Sequence, residues 1–79
     1  MIKVTIVDDH VIFAEGLESI FSDAHDIQIL ARCHNAESFW KVMENNSIDV
    51  VLLDISLPDV SGLNLCELIV RKHPNTRVI

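Results

Sequence analysis

The segment Ile48-Asp49-Val50-Val51-Leu52-Leu53-Asp54 constrains the fold of this chain more than any other. Four apolar residues follow one another without polar alternation, the pattern of a strand covered on both faces inside a parallel sheet. Parallel neighbours cannot be joined by tight hairpins and need crossovers of a dozen or so residues, most often helices. The rest of the chain supplies them. Ile2 to Val7 is β-branched and apolar, stops at Asp8-Asp9, and reads as a first strand. Phe13, Leu17, Ile20 and Phe21 then recur at helical spacing, predicting a helix from about Val11 to Ser22. Ile27 to Cys33 suits a second strand, and Asn35 an N-cap for a helix whose stripe is Ala36, Phe39, Trp40 and Met43. Asn45-Asn46-Ser47 closes that helix before the third strand. A loop with Pro58 and Gly62 follows, then a helical face of Leu65, Leu68 and Ile69 that stops before Pro74; Arg77-Val78-Ile79 begins a fourth strand. This alternation predicts an α/β domain: a parallel sheet with right-handed crossovers, three helices, three strands and the start of a fourth.

A chain of 79 residues makes one domain at most and has little core to spare. Twelve Asp and Glu against six Lys and Arg give a net charge of −6, the opposite of the footprint of a module that grips nucleic-acid backbones. The apolar run Val50 to Leu53 is too short to cross a bilayer, so no membrane contact is expected. The N-terminus has no basic region followed by a long apolar stretch, which argues for a cytoplasmic protein. Cys33 and Cys66 lack metal-ligand spacing and are expected to be buried thiols.

In a doubly wound sheet of order 2-1-3-4-5, strands one and three are neighbours about 4.8 Å apart, and ligands bind in the crevice at their carboxyl ends. Asp8 and Asp9 leave the first strand there and Asp54 leaves the third, so three carboxylates are expected to converge. Two carboxylates about 4 Å apart repel by roughly 4 kcal/mol at an effective dielectric near 20. A hard dication such as Mg2+ would relieve that repulsion, binding through one or two carboxylates and keeping further positions for water and phosphate oxygens. With the metal polarising an incoming phosphoryl group, Asp54 could act as nucleophile and form an acyl phosphate. Taken singly, each aspartate is more simply a helix cap or a strand terminator. Taken together they are not, because a cap does not need apolar strands to deliver acids to adjacent ends.

The runs VTIVDDH and VVLLDISLPDVSG resemble the receiver domain of two-component response regulators: an acidic pair after strand one, an acceptor Asp after strand three, then a Pro four residues on and a Gly eight residues on. Val-Asp-Asp-His, with Pro74 to Ile79 leading into strand four, is most like the LuxR/NarL-type subfamily. The resemblance implies the flavodoxin-like fold, phosphorylation of Asp54 by a sensor histidine kinase, and Mg2+ held by Asp8, Asp9, Asp54 and the backbone carbonyl of Ser56. Pro58 and Gly62 would shape the acceptor loop. Receivers also carry a Ser or Thr after strand four and a Lys after strand five, and neither position exists before Ile79. Residues 1–79 are therefore expected to be the N-terminal portion of such a domain, without the DNA-binding effector domain through which transcription would be controlled.

Two rival functions stand beside this one. An aspartyl-nucleophile phosphohydrolase also uses Mg2+, but places Asp-x-Asp on its first strand, where this chain has Asp8-Asp9-His10. A non-catalytic interaction fragment is the other: an open fourth strand and uncovered apolar faces would favour a homodimer or looser self-association. His10 is expected to sit at the loop or helix start and modulate access to the site rather than to ligate Mg2+, which prefers oxygen. His25, His34 and His73 are expected at the surface, and Trp40 in the core. Phe13 is expected to pack first, and in the resembled family this helix also contributes to kinase docking.

Overall fold

A computed structural model describes residues 1–79. Its elements run β1 (Ile2–Val7), α1 (Val11–Phe21), β2 (Ile27–Cys33), α2 (Ala36–Asn45), β3 (Val50–Leu53), α3 (Gly62–Lys72) and β4 (Arg77–Val78). All pairings are parallel and the strand order is β2-β1-β3-β4, so the expected doubly wound order holds as far as the chain carries it. β3 is shorter than the apolar segment suggested, because Ile48 and Asp49 lie before the ladder. Asp49 instead pins the start of the sheet: its carboxylate accepts from Lys3 N–H at 2.8 Å and its own N–H donates to the Lys3 carbonyl at 2.9 Å.

The main core cluster lies on one side of the sheet. Val7, Cys33 and Val51 meet Ala36, Phe39 and Met43 of α2 and Leu65 and Ile69 of α3, with Ile48 closing the bottom. Local chemistry sets where both helices begin. Asn35 caps α2 by accepting from Ser38 N–H at 2.8 Å, and Ser61 caps α3 by accepting from Leu63 N–H at 3.2 Å. Trp40 is half-buried at the rim of this core, edge-on to Phe39 at 5.1 Å, with Lys72 Nζ 5.5 Å from its ring. His73 is half-buried beside it rather than free at the surface, whereas His25 and His34 are exposed as expected. Cys33 is buried; Cys66 is only half-buried, next to the buried Leu65 on α3.

The opposite side is different. α1 buries only Ala14, while Ile12, Phe13 and Ile20 are exposed, Phe13 by 57%. The expected apolar stripe is present but only partly covered: Leu17 and Phe21 are half-buried, Phe13 and Ile20 exposed. It borders a groove of roughly 430 Å³ together with Ile6, Leu52, Leu53 and Ile79. For the same reason β3 is not covered on both faces: Val51 is buried, but Val50, Leu52 and Leu53 are half-buried. Packing as the first role of Phe13 is thus corrected, because α1 has a sheet beneath it and nothing beside it.

Candidate functional site at the carboxyl end of the sheet

Strand register builds the site. Val7 pairs with Cys33 on one side and Leu53 on the other, so β1, β2 and β3 finish level. The ladder runs one residue further on each side: Asp8 N–H donates to the Cys33 carbonyl and Asp54 N–H to the Val7 carbonyl, both at 2.9 Å. These bonds fix the two backbones from which Asp8 and Asp54 project.

Asp8, Asp9, His10 and Asp54 each offer a ligand atom, and the four atoms lie within 4.8 Å of one another. Asp8 is buried and Asp9 exposed, with Asp54 between these extremes. Asp54 Oδ1 accepts from Ser56 N–H at 3.2 Å, but its Oδ2 is enclosed and has no hydrogen-bond partner. An enclosed carboxylate oxygen without a donor is costly unless a cation serves it. Three carboxylates, one of them with that orphaned oxygen, suit Mg2+.

His10 enters this cluster. Its N–H donates to Asp8 Oδ1 at 2.8 Å, and its Nδ1 lies 2.8 Å from the same oxygen, 3.1 Å from Asp9 Oδ1 and 3.6 Å from Asp54 Oδ2. The last separation is too long for a hydrogen bond and leaves only charge attraction. The hydrogen bond to Asp8, then the charges of Asp9 and Asp8, raise the imidazole pKa above its ordinary value. His10 also occupies the N-cap position of α1 but makes no side-chain cap. It is thus at the helix start, as expected, and in contact with the acids as well. The adjacency of His10 to Asp8-Asp9 was the only available signal.

The loop after β3 is tightly held. Gly62 N–H donates to the Ile55 carbonyl at 2.7 Å, and Ser56 and Ser61 form an antiparallel bridge. A side chain at Gly62 would collide with the Asp54 carbonyl oxygen and stand 2.5 Å from Ile55 Cα, so glycine is required here for close approach of two backbones. Pro58 lies exposed at the turn of the loop. Beyond it, the Asp59 carboxylate accepts from Ala36 N–H at 3.0 Å and Glu37 N–H at 3.2 Å, a contact no sequence pattern announces. Those bonds, the Ala36 one foremost, hold the Asp59 carboxyl below its usual range.

A family model described as the response regulator receiver domain matches residues 4–79. The response regulator GacA of Pseudomonas syringae pv. syringae is 32% identical over the whole chain, which spans 37% of that protein. The response regulator UvrY of Escherichia coli K12 is 33% identical over the whole chain, which spans 36% of it. Among solved structures, RcsB from Salmonella enterica serovar Typhimurium, bound to the promoter rprA in the presence of the phosphomimetic BeF3−, superposes with a TM-score of 0.91 at 21% identity. That match covers 99% of this chain and 66% of the other, and establishes the fold alone. The chain therefore spans little more than a third of the curated relatives it matches.

Proposed function

Because the chain belongs to the response regulator receiver family, we propose that Asp54 accepts a phosphoryl group from a sensor histidine kinase, at a Mg2+ site formed with Asp8, Asp9 and the Ser56 carbonyl. The observation that carries this reading is the enclosed, unpartnered Oδ2 of Asp54 beside two further carboxylates at one sheet edge.

When bound, Mg2+ would neutralise the carboxylates and the phosphoryl oxygens. The chain's own residues do the rest. The Val7 carbonyl anchors Asp54 through its N–H, and the Ser56 N–H orients the carboxylate by holding Oδ1, so that the carboxylate can present an oxygen as the nucleophile. That oxygen bonds to phosphorus as the bond from phosphorus to the donor imidazole nitrogen breaks; the electron pair stays on that nitrogen, and Asp54 becomes an acyl phosphate. His10 lies over the same mouth, 68% exposed, and would have to yield its contacts as the metal enters.

This is a phosphoryl-accepting module rather than a turnover enzyme, and the Asp8-Asp9-His10 order speaks against a phosphohydrolase of the Asp-x-Asp kind. An effector that binds DNA, as RcsB does at its promoter, would give the signal its output outside residues 1–79. The full-length protein incubated with acetyl phosphate and Mg2+ should take up hydroxylamine-sensitive phosphate, and Asp54→Asn should take up none. Undiminished incorporation in Asp54→Asn would overturn the assignment.

A further inference from the structure

Two elements that are 23 residues apart in sequence meet at Asp59. The four leading N–H groups of a helix need acceptors, and a side-chain N-cap serves one of them. In α2 that cap is Asn35, which takes the Ser38 N–H, while its carbonyl accepts from Phe39 N–H at 3.3 Å. The N–H groups of Ala36 and Glu37 go instead to the Asp59 carboxylate from the acceptor loop. Asp59 is exposed, so burial does not explain why it is held there.

The same junction reaches the other half of the pocket. Cys33, at the end of β2, accepts the Asp8 N–H at 2.9 Å, and His34 Nδ1 lies 3.4 Å from the Asp8 carbonyl. Residues 33–37 thus touch the acidic pair from one side and, through Asp59, the loop bearing Asp54 and Ser56 from the other. Asp54 itself is tied to β1 through its N–H on the Val7 carbonyl, whereas the bonds further along, Gly62 to Ile55 and Ser56 to Ser61, are internal to the loop.

We infer that Asp59 is a positioning residue, which clamps the acceptor loop beyond Asp54 to the start of α2 and so sets where Ser56 stands relative to the Asp8–Asp9 pair. The inference rests on the receiver reading above for its metal, and acts on the metal through the loop rather than by touching it.

The test separates a clamp from an ordinary helix cap. Asp59→Ala and Asn35→Ala each remove acceptors from the α2 terminus, but only the first releases the loop. Mg2+ affinity of the full chain, measured by calorimetry, should fall on the order of tenfold in Asp59→Ala, the size expected when support of a metal ligand is lost. It should stay within about twofold in Asn35→Ala, and Asp59→Asn, with one acceptor oxygen, should lie between. In metal-free protein the amide resonances of Asp54 and Ser56 should shift in Asp59→Ala and not in Asn35→Ala. Unchanged amides in Asp59→Ala, or equal effects of the two alanine variants, would overturn the clamp. If the unmodified chain bound no Mg2+, the metal reading would fall, and the amide resonances alone would still decide for or against the clamp.

Discussion

At the scale of single residues, the two glycines carry opposite expectations. Gly62 has the Asp54 and Ile55 backbone against its Cα, whereas nothing lies within 4 Å of a Cβ placed on Gly16, in the middle of α1. Neither has positive φ, so space rather than backbone conformation decides. Gly62→Ala should destabilise the chain by about 1–3 kcal/mol, the usual cost of overpacking. It should also weaken Mg2+ binding, because the atom it displaces is the Asp54 carbonyl. Gly16→Ala should stabilise by roughly 0.5–1 kcal/mol, since a helix interior favours alanine. Paired thermal melts check both signs; a neutral Gly62→Ala would mean that the loop gives way more easily than its contacts imply. The convergence of Asp8, Asp9 and Asp54 was legible in the sequence, because strand ends deliver side chains at known places. The role of Asp59 was not, since it depends on where a neighbouring element comes to rest.

At the scale of elements, legibility followed locality. The bounds of β2 and the Asn35 cap could be read because apolar periodicity and a capping side chain act over a few residues. The shortening of β3 could not, because Asp49 is recruited by Lys3 from a distant strand. β4 illustrates the same point. It has two residues, and its attachment depends on the buried Thr76, whose Oγ1 donates to the Ile48 carbonyl at 2.7 Å just before β3. Thr76→Val keeps the shape and removes the donor, leaving that carbonyl without this partner. The expected loss is about 1–3 kcal/mol, and it should appear first as faster amide exchange at Arg77 and Ile79, whose N–H groups bond to Asp49 and Val51. Exchange unchanged at these two amides would show that the strand is held by its ladder alone.

At the scale of the whole molecule, the sheet has one furnished side and one bare side. α2 and α3 fill the first with a continuous apolar core. On the second, α1 stands alone beside a groove bordered by Ile6, Phe13, Leu17, Phe21, Leu52 and Ile79, and β4 lies at the margin of the sheet with Ile79 76% exposed. Apolar surface of that kind gains about 25 cal/mol for each Å² removed from water, and an open strand offers unpaired backbone groups to a partner. The net charge of −6 opposes association at low salt, but its effect fades as the Debye length shortens to about 8 Å at physiological ionic strength. The 79-residue chain should therefore self-associate in sedimentation, more strongly as salt rises. Phe13→Glu, which places a charge on the groove, should shift it toward monomer without loss of the α2–α3 core. A wild-type chain that remained monomeric at high salt and unfolded in one sharp transition would mean that the bare side is tolerated, and that the core between the sheet, α2 and α3 suffices for a domain of this size.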